Sequence, residues 1–263
     1  MLEIKNVHKT FFAGTVNERV ALQEINLSLA AGEFVTVIGS NGAGKSTILN
    51  ITSGKLRPDS GTVTIDGRDV TRLADYQRAR FVGRVFQDPM AGTSPEMTIE
   101  QNMAIAYERG KRRGLAPGVT RKKREFFREE LKSLELGLEN RLKAKVGLLS
   151  GGQRQALSLL MATFSSPSIL LLDEHTAALD PQRAALVSRL TAEIVERHHL
   201  TTLMVTHNME QALQLGTRLI MMHEGRIILD LDREQKSRMT VPDLLHEFEK
   251  IKGAAVDDRT MLQ

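Results

Sequence analysis

A glycine-rich stretch of the chain has a lysine and hydroxyl side chains at the spacing that phosphate-binding loops use. It fits the pattern G-x-x-x-x-G-K-[ST], and its residues are Gly39, Ser40, Asn41, Gly42, Ala43, Gly44, Lys45, Ser46 and Thr47. Glycines let backbone N–H groups curve around phosphates, and a helix start adds partial positive charge. The pattern therefore predicts a nucleotide-binding loop in which Lys45 contacts the outer phosphates and the Ser46 hydroxyl contacts Mg²⁺.

The neighbours of this loop agree with the prediction. An apolar run from Phe34 to Ile38 predicts a buried strand before it, and residues 46–53 predict a helix after it. A plain glycine-rich turn is the alternative, but such a turn needs neither the strand nor the helix. The sequence context therefore favours the nucleotide-binding loop.

A second helix start carries two glycines of its own. Its residues are Leu149, Ser150, Gly151, Gly152 and Gln153, and a helical pattern of apolar side chains follows. Ser150 is a good N-cap, and backbone amides beside the glycines suit a phosphate by the same logic. Because the chain already has one phosphate loop, the economical interpretation is that this helix start contacts a nucleotide held by another copy. An ordinary serine-capped helix remains the alternative.

Two carboxylates end a strongly apolar segment. The aliphatic run from Ile169 to Leu172 predicts a buried strand, and Asp173 and Glu174 follow it directly. Neighbouring strand residues point to opposite faces, so the two carboxylates can have different roles. Asp173 can hold Mg²⁺ through water, and Glu174 can orient or deprotonate a water that attacks a phosphate. A solvated charge pair at a strand end is the weaker alternative.

Together these segments resemble the motifs of the ABC (ATP-binding cassette) ATPases, in the order in which that family carries them. Residues 149–153 are similar to the signature motif, and residues 169–174 to the Walker B strand. The resemblance covers about residues 2–230. It implies that Gln87 is the Q-loop glutamine at the metal site, that His207 is the switch histidine near the γ-phosphate, and that Asp180 belongs to the D-loop.

The same resemblance implies how the protein works. It implies an ATP hydrolase that acts as a head-to-tail homodimer, with Mg²⁺ as cofactor and Glu174 and His207 as catalytic residues. Each ATP would lie between the phosphate loop of one copy and a set of residues of the other copy, namely Ser150, Gly151, Gly152, Gln153 and Asp180. ATP would close the dimer, and hydrolysis would open it.

Two residues depart from the family's usual pattern. An aromatic residue near the N-terminus, commonly Tyr, stacks on adenine in this family. Here the register favours Phe11 over Phe12, and Phe keeps the π-face while it loses the hydroxyl. A core phenylalanine at a strand end is the alternative for Phe11. His175 stands where many relatives have Pro or Ala, and the sequence offers no physical account of it.

The order of apolar patterns predicts an α/β fold. Strands alternate with helices, which indicates a mostly parallel sheet of the P-loop NTPase type. An antiparallel β portion precedes it, and a helical subdomain at about 88–160 is inserted in it, so residues 1–230 form a single ATPase domain of the ABC type. Residues 231–263 form a charged tail with a weak amphipathic helix at about 241–251.

Composition limits where such a chain works. The chain has no Cys, which fits a reducing compartment, and its formal net charge of +4 suits several kinds of polyanion equally. No apolar stretch approaches the ~18 residues that span a bilayer, and the N-terminus lacks the pattern of a signal peptide. We expect a peripheral protein on the cytoplasmic side of the membrane that has no nucleic-acid partner.

The expected function is ATP-driven transport by a complex with membrane permease subunits. Free-standing ATPases of this family usually serve importers, and the stretch from Phe11 to Leu22 resembles subunits of tryptophan/tyrosine or other amino-acid uptake systems. An extracytoplasmic substrate-binding protein is then a further expected partner. Two alternatives are a lipid or lipoprotein exporter and a soluble ABC ATPase that acts on ribosomes or DNA.

A basic cluster lies between Gln87 and Ser150. Its members are Lys111, Arg112, Arg113, Arg121, Lys122, Lys123 and Arg124. A solvated helical face balanced by Glu125, Glu129 and Glu130 is the favoured interpretation. Contact with anionic lipid beside the membrane subunits is the alternative, because each basic residue near such a surface adds about 1 kcal/mol.

Overall fold

The strands of the protein form two sheets. A computed structural model of the chain describes residues 1–111, 114 and 117–250. The strands are β1 (Leu2–Phe11), β2 (Arg19–Leu29), β3 (Phe34–Gly39), β4 (Ser60–Ile65), β5 (Arg68–Asp69), β6 (Val82–Val85), β7 (Ile169–Asp173), β8 (Thr202–Val205), β9 (Arg218–His223) and β10 (Arg226–Leu231).

Helices connect these strands and cover the larger sheet. They are α1 (Lys45–Ser53), α2 (Asp75–Arg78), α3 (Ile99–Tyr107), α4 (Arg121–Lys132), α5 (Gly151–Thr163), α6 (Pro181–Arg197), α7 (Met209–Gln214) and α8 (Arg233–Ser237). Residues 241–250 are also helical, which confirms that part of the predicted C-terminal helix. Residues 251–263 lie outside the described residues. None of the described helices has the length and apolarity to cross a membrane.

The larger sheet brings the predicted motifs to one edge. Its strand order is β10-β9-β3-β8-β7-β6, and all neighbouring pairs are parallel except β10 with β9. Parallel strands end at the same edge of a sheet, and ligands bind in the crevice outside those carboxyl ends. The ends of β3, β7, β8 and β6 lead into the phosphate loop, the two carboxylates, His207 and Gln87, respectively.

The smaller sheet and α1 cover one face of the larger sheet, and the remaining long helices cover the other. The order of the smaller sheet is β2-β1-β4-β5, with antiparallel pairs throughout. Strand β7 shows the two faces: Ile169 and Leu171 join the core with α1, whereas Leu170 and Leu172 join the core with α3, α4 and α5. The α/β fold with an antiparallel β portion is confirmed.

Helices α3, α4 and α5 all lie between β6 and β7, as the predicted insertion requires. Four aromatic side chains pack together there, with ring centroids 5.4–6.3 Å apart, namely Tyr107, Phe126, Phe127 and Phe164. The buried core of the insertion continues into the face of the larger sheet through Val85, Leu170 and Leu172. The exact bounds of the subdomain and of the tail stay predictions.

Three of the five described members of the basic cluster pair with acidic side chains of the protein itself. Lys123 lies 2.9 Å from Glu108, and Arg124 lies 2.6 Å from Glu100 on α3. Arg121 pairs with Glu125 one turn further along α4. These ion pairs agree with the balanced helical face rather than with a lipid contact. Arg112 and Arg113 of the cluster lie outside the described residues.

A buried arginine closes the far end of α1. Arg78 is fully buried, and its guanidinium donates to the carbonyl oxygens of Ile51 and Thr52 at 2.7 and 3.1 Å. It also donates to the carbonyls of Thr71 and Leu73. Burial lowers the pKa of Arg78 to about 10, which still leaves it charged at neutral pH. The last turn of α1 therefore has an internal cation on two of its carbonyls.

Candidate functional site

Two glycines of the phosphate loop are required by its geometry. Gly44 is the N-cap of α1 and has a φ of 99°, in the left-handed region that favours glycine. Gly39 has a φ of 149°, and a Cβ there would lie 2.1 Å from the carbonyl oxygen of Met222 on β9. A side chain at either position would therefore distort the loop, so the glycine pattern reflects backbone geometry.

The loop is folded around its own lysine. Lys45 Nζ donates to the carbonyl oxygens of Gly39 and Ser40, at 2.8 and 2.9 Å. The side chain is buried, and this desolvation lowers the pKa of Lys45, while Glu174 opposes the shift. Among the described residues no side chain caps the N-terminus of α1. The first N–H groups of α1 are thus available to a phosphate, and Lys45 keeps one donor beyond its two carbonyl contacts.

The two carboxylates after β7 have different surroundings. Asp173 Oδ2 accepts from Arg84 Nη2 at 2.7 Å, on the face that carries α1. The Glu174 N–H donates to the Val205 carbonyl at 2.9 Å, which fixes Glu174 against the end of β8. Glu174 has a φ of 45°, and such strain in a non-glycine residue is often found at functional sites. The structure thus separates the carboxylates as the strand alternation predicts.

Glu174 and His207 form a pair at the sheet edge. His207 Nδ1 lies 3.2 Å from Glu174 Oε2. A histidine beside a carboxylate can hold it in one orientation, and both groups can contact a water on a phosphate. The structure brings these two predicted catalytic residues together.

Gln211 on α7 ties the two catalytic segments to each other. Its amide oxygen accepts from the Thr206 hydroxyl at 2.8 Å, and its amide nitrogen donates to Thr176 at 3.0 Å. Thr206 precedes His207, whereas Thr176 follows Glu174 by two positions. The buried amide therefore fixes the spacing of the pair, and no sequence pattern pointed to this role.

The second predicted phosphate contact is a well-formed helix start. The Ser150 hydroxyl accepts from the N–H of Gln153 at 3.3 Å, and Gln153 Oε1 accepts from the N–H of Ser150 at 3.1 Å. This capping box occupies the backbone N–H of Gln153, and the contacts of residues 150–153 with ATP stay predictions. Gly151 and Gly152 pack closely against Leu179 and Arg183, where a Cβ would meet side-chain atoms at 3.2 Å.

Helix α5 is tied to the Q-loop segment. Gln155 is fully buried, and its Nε2 donates to the Phe86 carbonyl at 2.9 Å, one residue before Gln87. The Gln87 side chain itself is exposed. Asp180 is the N-cap of α6 and accepts from the Arg183 N–H at 3.1 Å. The roles of Gln87 and Asp180 toward metal and ATP stay predictions.

Phe11 lies within reach of the phosphate loop. It ends β1, is half-buried, and pairs across the strands with Arg19, whose Nη2 donates to the Gly42 carbonyl at 3.1 Å. Phe12 is 69% exposed and has a left-handed φ of 54°. Phe11 is not part of the buried core, which weakens the structural alternative, and its adenine contact stays a prediction.

The predicted metal donors have suitable chemistry for Mg²⁺. The Ser46 hydroxyl, the Gln87 amide oxygen and the Asp173 carboxylate are hard oxygen donors, which Mg²⁺ prefers. Within the described residues no cluster of three or more His, Cys, Asp or Glu side chains could hold a metal. A small number of protein donors is consistent with a Mg²⁺ site in which phosphate oxygens and water supply the other ligands.

The structure supplies the missing account of His175. Its ring is buried, and Nε2 lies 2.9 Å from the Thr191 hydroxyl of α6, while Nδ1 has no partner among the described residues. Burial lowers the pKa of His175 to about 4. A neutral imidazole thus joins the segment after Glu174 to α6.

We expect His175 to make stability fall in mild acid. The unfolded state takes up the proton below about pH 6.5 and the folded state only near pH 4, so stability is lost as the pH falls between these values. The loss attributable to this group is about 3 kcal/mol. Urea unfolding from pH 7 to 4 should show a flatter pH dependence for His175→Leu than for the exposed-site control His8→Leu. Parallel curves for the wild type and His175→Leu would contradict the assignment.

Three contributors to this site were absent from the sequence-based prediction, namely Arg84, Gln155 and Gln211. An arginine inside the short apolar strand β6 was a signal for the first, because a buried cation needs a partner. The two glutamines gave no local signal, since their partners are distant in sequence.

Comparison with known proteins decides the family. A family model described as "ABC transporter" matches residues 22–177, more than half of the chain. The chain belongs to the ABC transporter family. As a member it is an ATP-binding and ATP-hydrolysing subunit, which confirms the predicted activity and the nucleotide.

Relatives cover nearly the whole of this ABC ATPase. The "Tyrosine transport ATP-binding protein" of Clostridioides difficile is 46% identical over 95% of this chain and 99% of its own length. The "Methionine import ATP-binding protein MetN" of Halalkalibacterium halodurans is 33% identical over 91% of this chain and 70% of its own length.

A solved structure confirms the ABC ATPase fold. The dimeric post-hydrolysis state of the ATP-binding cassette MJ0796, bound to ADP and Pi, superimposes with a TM-score of 0.75 at 32% identity. The likeness covers 89% of this chain and 99% of that one. The ABC ATPase fold therefore extends across both sheets and the inserted helices.

Proposed function

We propose that this ABC ATPase subunit powers the import of an amino acid, with tyrosine or another aromatic amino acid as the solute. The observation that carries the proposal is the similarity to the clostridial tyrosine transport ATP-binding protein, which spans almost the full length of both chains. The relation to a methionine import subunit supports import rather than export.

The subunit works in a larger assembly. We propose a homodimer on the cytoplasmic face of the membrane, bound to permease subunits that receive solute from an extracytoplasmic binding protein. The dimeric relative supports the homodimer, and the names of the import relatives support the permease. The binding protein is an expectation from the importer class alone.

The site geometry supports a division of labour during hydrolysis. The N–H groups at the start of α1 and Lys45 hold the phosphates, and Phe11 stacks on the adenine. Glu174 accepts a proton from, or orients, the attacking water, and His207 keeps the carboxylate in place at 3.2 Å. Ser150 and the glycines after it contact the nucleotide of the partner copy.

We propose that Ser46, Gln87 and Asp173 hold Mg²⁺ together with the phosphates. The ion neutralises charge on the phosphate oxygens when it is bound.

A groove beside the Q-loop segment suits the permease. It has a volume of about 570 Å³ and lies against Phe86, between α2, α3 and α5. Tyr76 and Ile105 line it and are 76% and 52% exposed, so large apolar side chains face solvent there. Arg109 also lines it, burial lowers its pKa, and within the described residues no carboxylate forms an ion pair with it.

Reversing the charge of Arg109 should impair assembly. A half-buried guanidinium with no ion pair among the described residues is complementary to a carboxylate on the docked partner, so Arg109→Glu places like charges together. We expect the amount of permease that co-purifies from detergent extracts to fall at least about tenfold. Basal ATPase activity of the isolated subunit should stay within about twofold of the wild type. The control is Arg128→Glu on the exposed face of α4, and equal losses for both variants would contradict this docking site.

The transport function itself is tested by uptake. The subunit is co-expressed with candidate permease and binding-protein subunits, and radiolabelled tyrosine, tryptophan and methionine are offered to cells that lack their own systems. Uptake of an aromatic amino acid that depends on Glu174 supports the proposal. Uptake of methionine alone, or export of preloaded label, would contradict it.

A further inference from the structure

A largely buried arginine connects the predicted metal ligand to the phosphate-loop helix. Arg84 Nη2 donates to Asp173 at 2.7 Å, while its Nη1 donates to the Asn50 amide oxygen at 2.8 Å and lies 3.2 Å from the Ser53 hydroxyl. Asn50 and Ser53 belong to α1. The guanidinium also lies over the Phe86 ring, 4.9 Å from its centroid. One side chain of β6 thus joins β7, α1 and the segment before Gln87.

The Arg84–Asp173 pair is largely removed from water. The two side chains are only 12% and 15% exposed, so salt and solvent screen their attraction weakly. The Arg84 Nε has no hydrogen-bond partner among the described residues, so Asp173 is the only carboxylate that directly compensates the cation there. Removing either partner would leave an uncompensated charge at this place.

The charge of Asp173 matters to the nucleotide. Asp173 ends β7, and β8 alone separates β7 from β3, which leads into the phosphate loop. A bare carboxylate at this edge repels the several negative charges of ATP until a divalent cation is bound. A guanidinium on the same carboxylate removes most of that repulsion.

We propose that Arg84 is a positioning residue that acts as the counter-ion of Asp173 and lets the site accept ATP without its metal. By this role Arg84 weakens the dependence of ATP affinity on divalent cations. The inference rests on the proposed place of Asp173 in the metal site. A purely structural brace between β6 and α1 would affect stability and leave this dependence unchanged.

The test measures the Kd of the fluorescent nucleotide mant-ATP in EDTA and in excess Mg²⁺. The quantity compared between variants is the ratio of the Kd in EDTA to the Kd in Mg²⁺. In Arg84→Met the ratio should rise about tenfold, because metal-free binding weakens. Arg84→Lys keeps the charge and should hold the rise below about threefold. The matched control is Arg80→Met, which removes a guanidinium that lies 4.5 Å from the centroid of the Phe81 ring. Thermal unfolding by circular dichroism reports the stability of each variant.

A second variant keeps the test decisive if Arg84→Met folds poorly. Asp173→Asn removes the carboxylate and leaves the cation, so metal-free mant-ATP binding should strengthen and the ratio should fall. The double variant should return the ratio to the wild-type value or below it. If Arg84→Met changes the ratio no more than Arg80→Met does, and Asp173→Asn still lowers it, the role of Arg84 is overturned and the metal assignment of Asp173 stands. A ratio that Asp173→Asn leaves unchanged would overturn the metal assignment of Asp173 and the inference built on it.

Discussion

Replacement of Glu174 by glutamine should lower steady-state ATP turnover by at least about a hundredfold. The amide cannot accept the proton of the attacking water, although it keeps the shape of the side chain. The phosphate loop is untouched, so mant-ATP affinity should stay within about twofold of the wild type. Hydrolysis is expected to open the dimer, so a variant that binds ATP without hydrolysing it should form a long-lived ATP dimer. Size-exclusion chromatography with and without ATP measures this dimer.

The control for this prediction is Glu210→Gln. Glu210 lies in the first turn of α7 and lines the same cleft as Glu174. The carboxylate that pairs with His207 is that of Glu174. We expect its turnover to stay within about twofold of the wild type. Undiminished ATPase activity in Glu174→Gln would contradict the catalytic assignment of Glu174. A similar loss of activity in both variants would indicate that any change of charge in the cleft lowers turnover.

A mixed dimer tests whether the Ser150 helix start serves the other copy. Ser150→Arg places a large cation against the γ-phosphate pocket of the partner, and Lys45→Ala removes the loop's cation. Each homodimer should be inactive. In a dimer of one Ser150→Arg and one Lys45→Ala subunit, both defects fall on the same composite site, and the other site stays intact. We expect about half of the wild-type turnover, since two equal sites follow from two-fold symmetry.

The matched control carries both substitutions in one subunit and none in the other. If Ser150 acts on the nucleotide of the other copy, each site of this dimer has one defect, so the dimer should be inactive. If each subunit used its own Ser150 with its own Lys45, the control would be active and the mixed dimer silent. Affinity tags of two kinds on the subunits allow purification of the mixed species, and phosphate release gives the turnover.

Local patterns predicted much of the fold. The apolar runs before the phosphate loop and before Asp173 each became a strand of the larger sheet, because a strongly apolar run is typical of a strand buried on both faces. Strands β6 and β10 were not predicted. The first is short and contains Gly83 and Arg84, and the second has half-exposed side chains that leave a weak apolar pattern.

The site divides in the same way. The phosphate loop and the two carboxylates carry their chemistry in adjacent residues, so a motif could reveal them. Gln211 and His175 act through partners on other elements, Thr176 and Thr191, and no spacing in the sequence brings these pairs together. Charge pairing is equally non-local, since Arg84 precedes Asp173 by 89 positions.

The two ends of α1 are electrically unequal. The carbonyl end is permanently balanced by Arg78, whereas the amide end waits for an anion. A bound nucleotide therefore supplies the negative charge that balances the amide end of α1. When the nucleotide leaves, only that end loses its balancing charge. The charge around α1 therefore changes at its N-terminal end when a nucleotide binds or leaves, while Arg78 keeps the other end balanced.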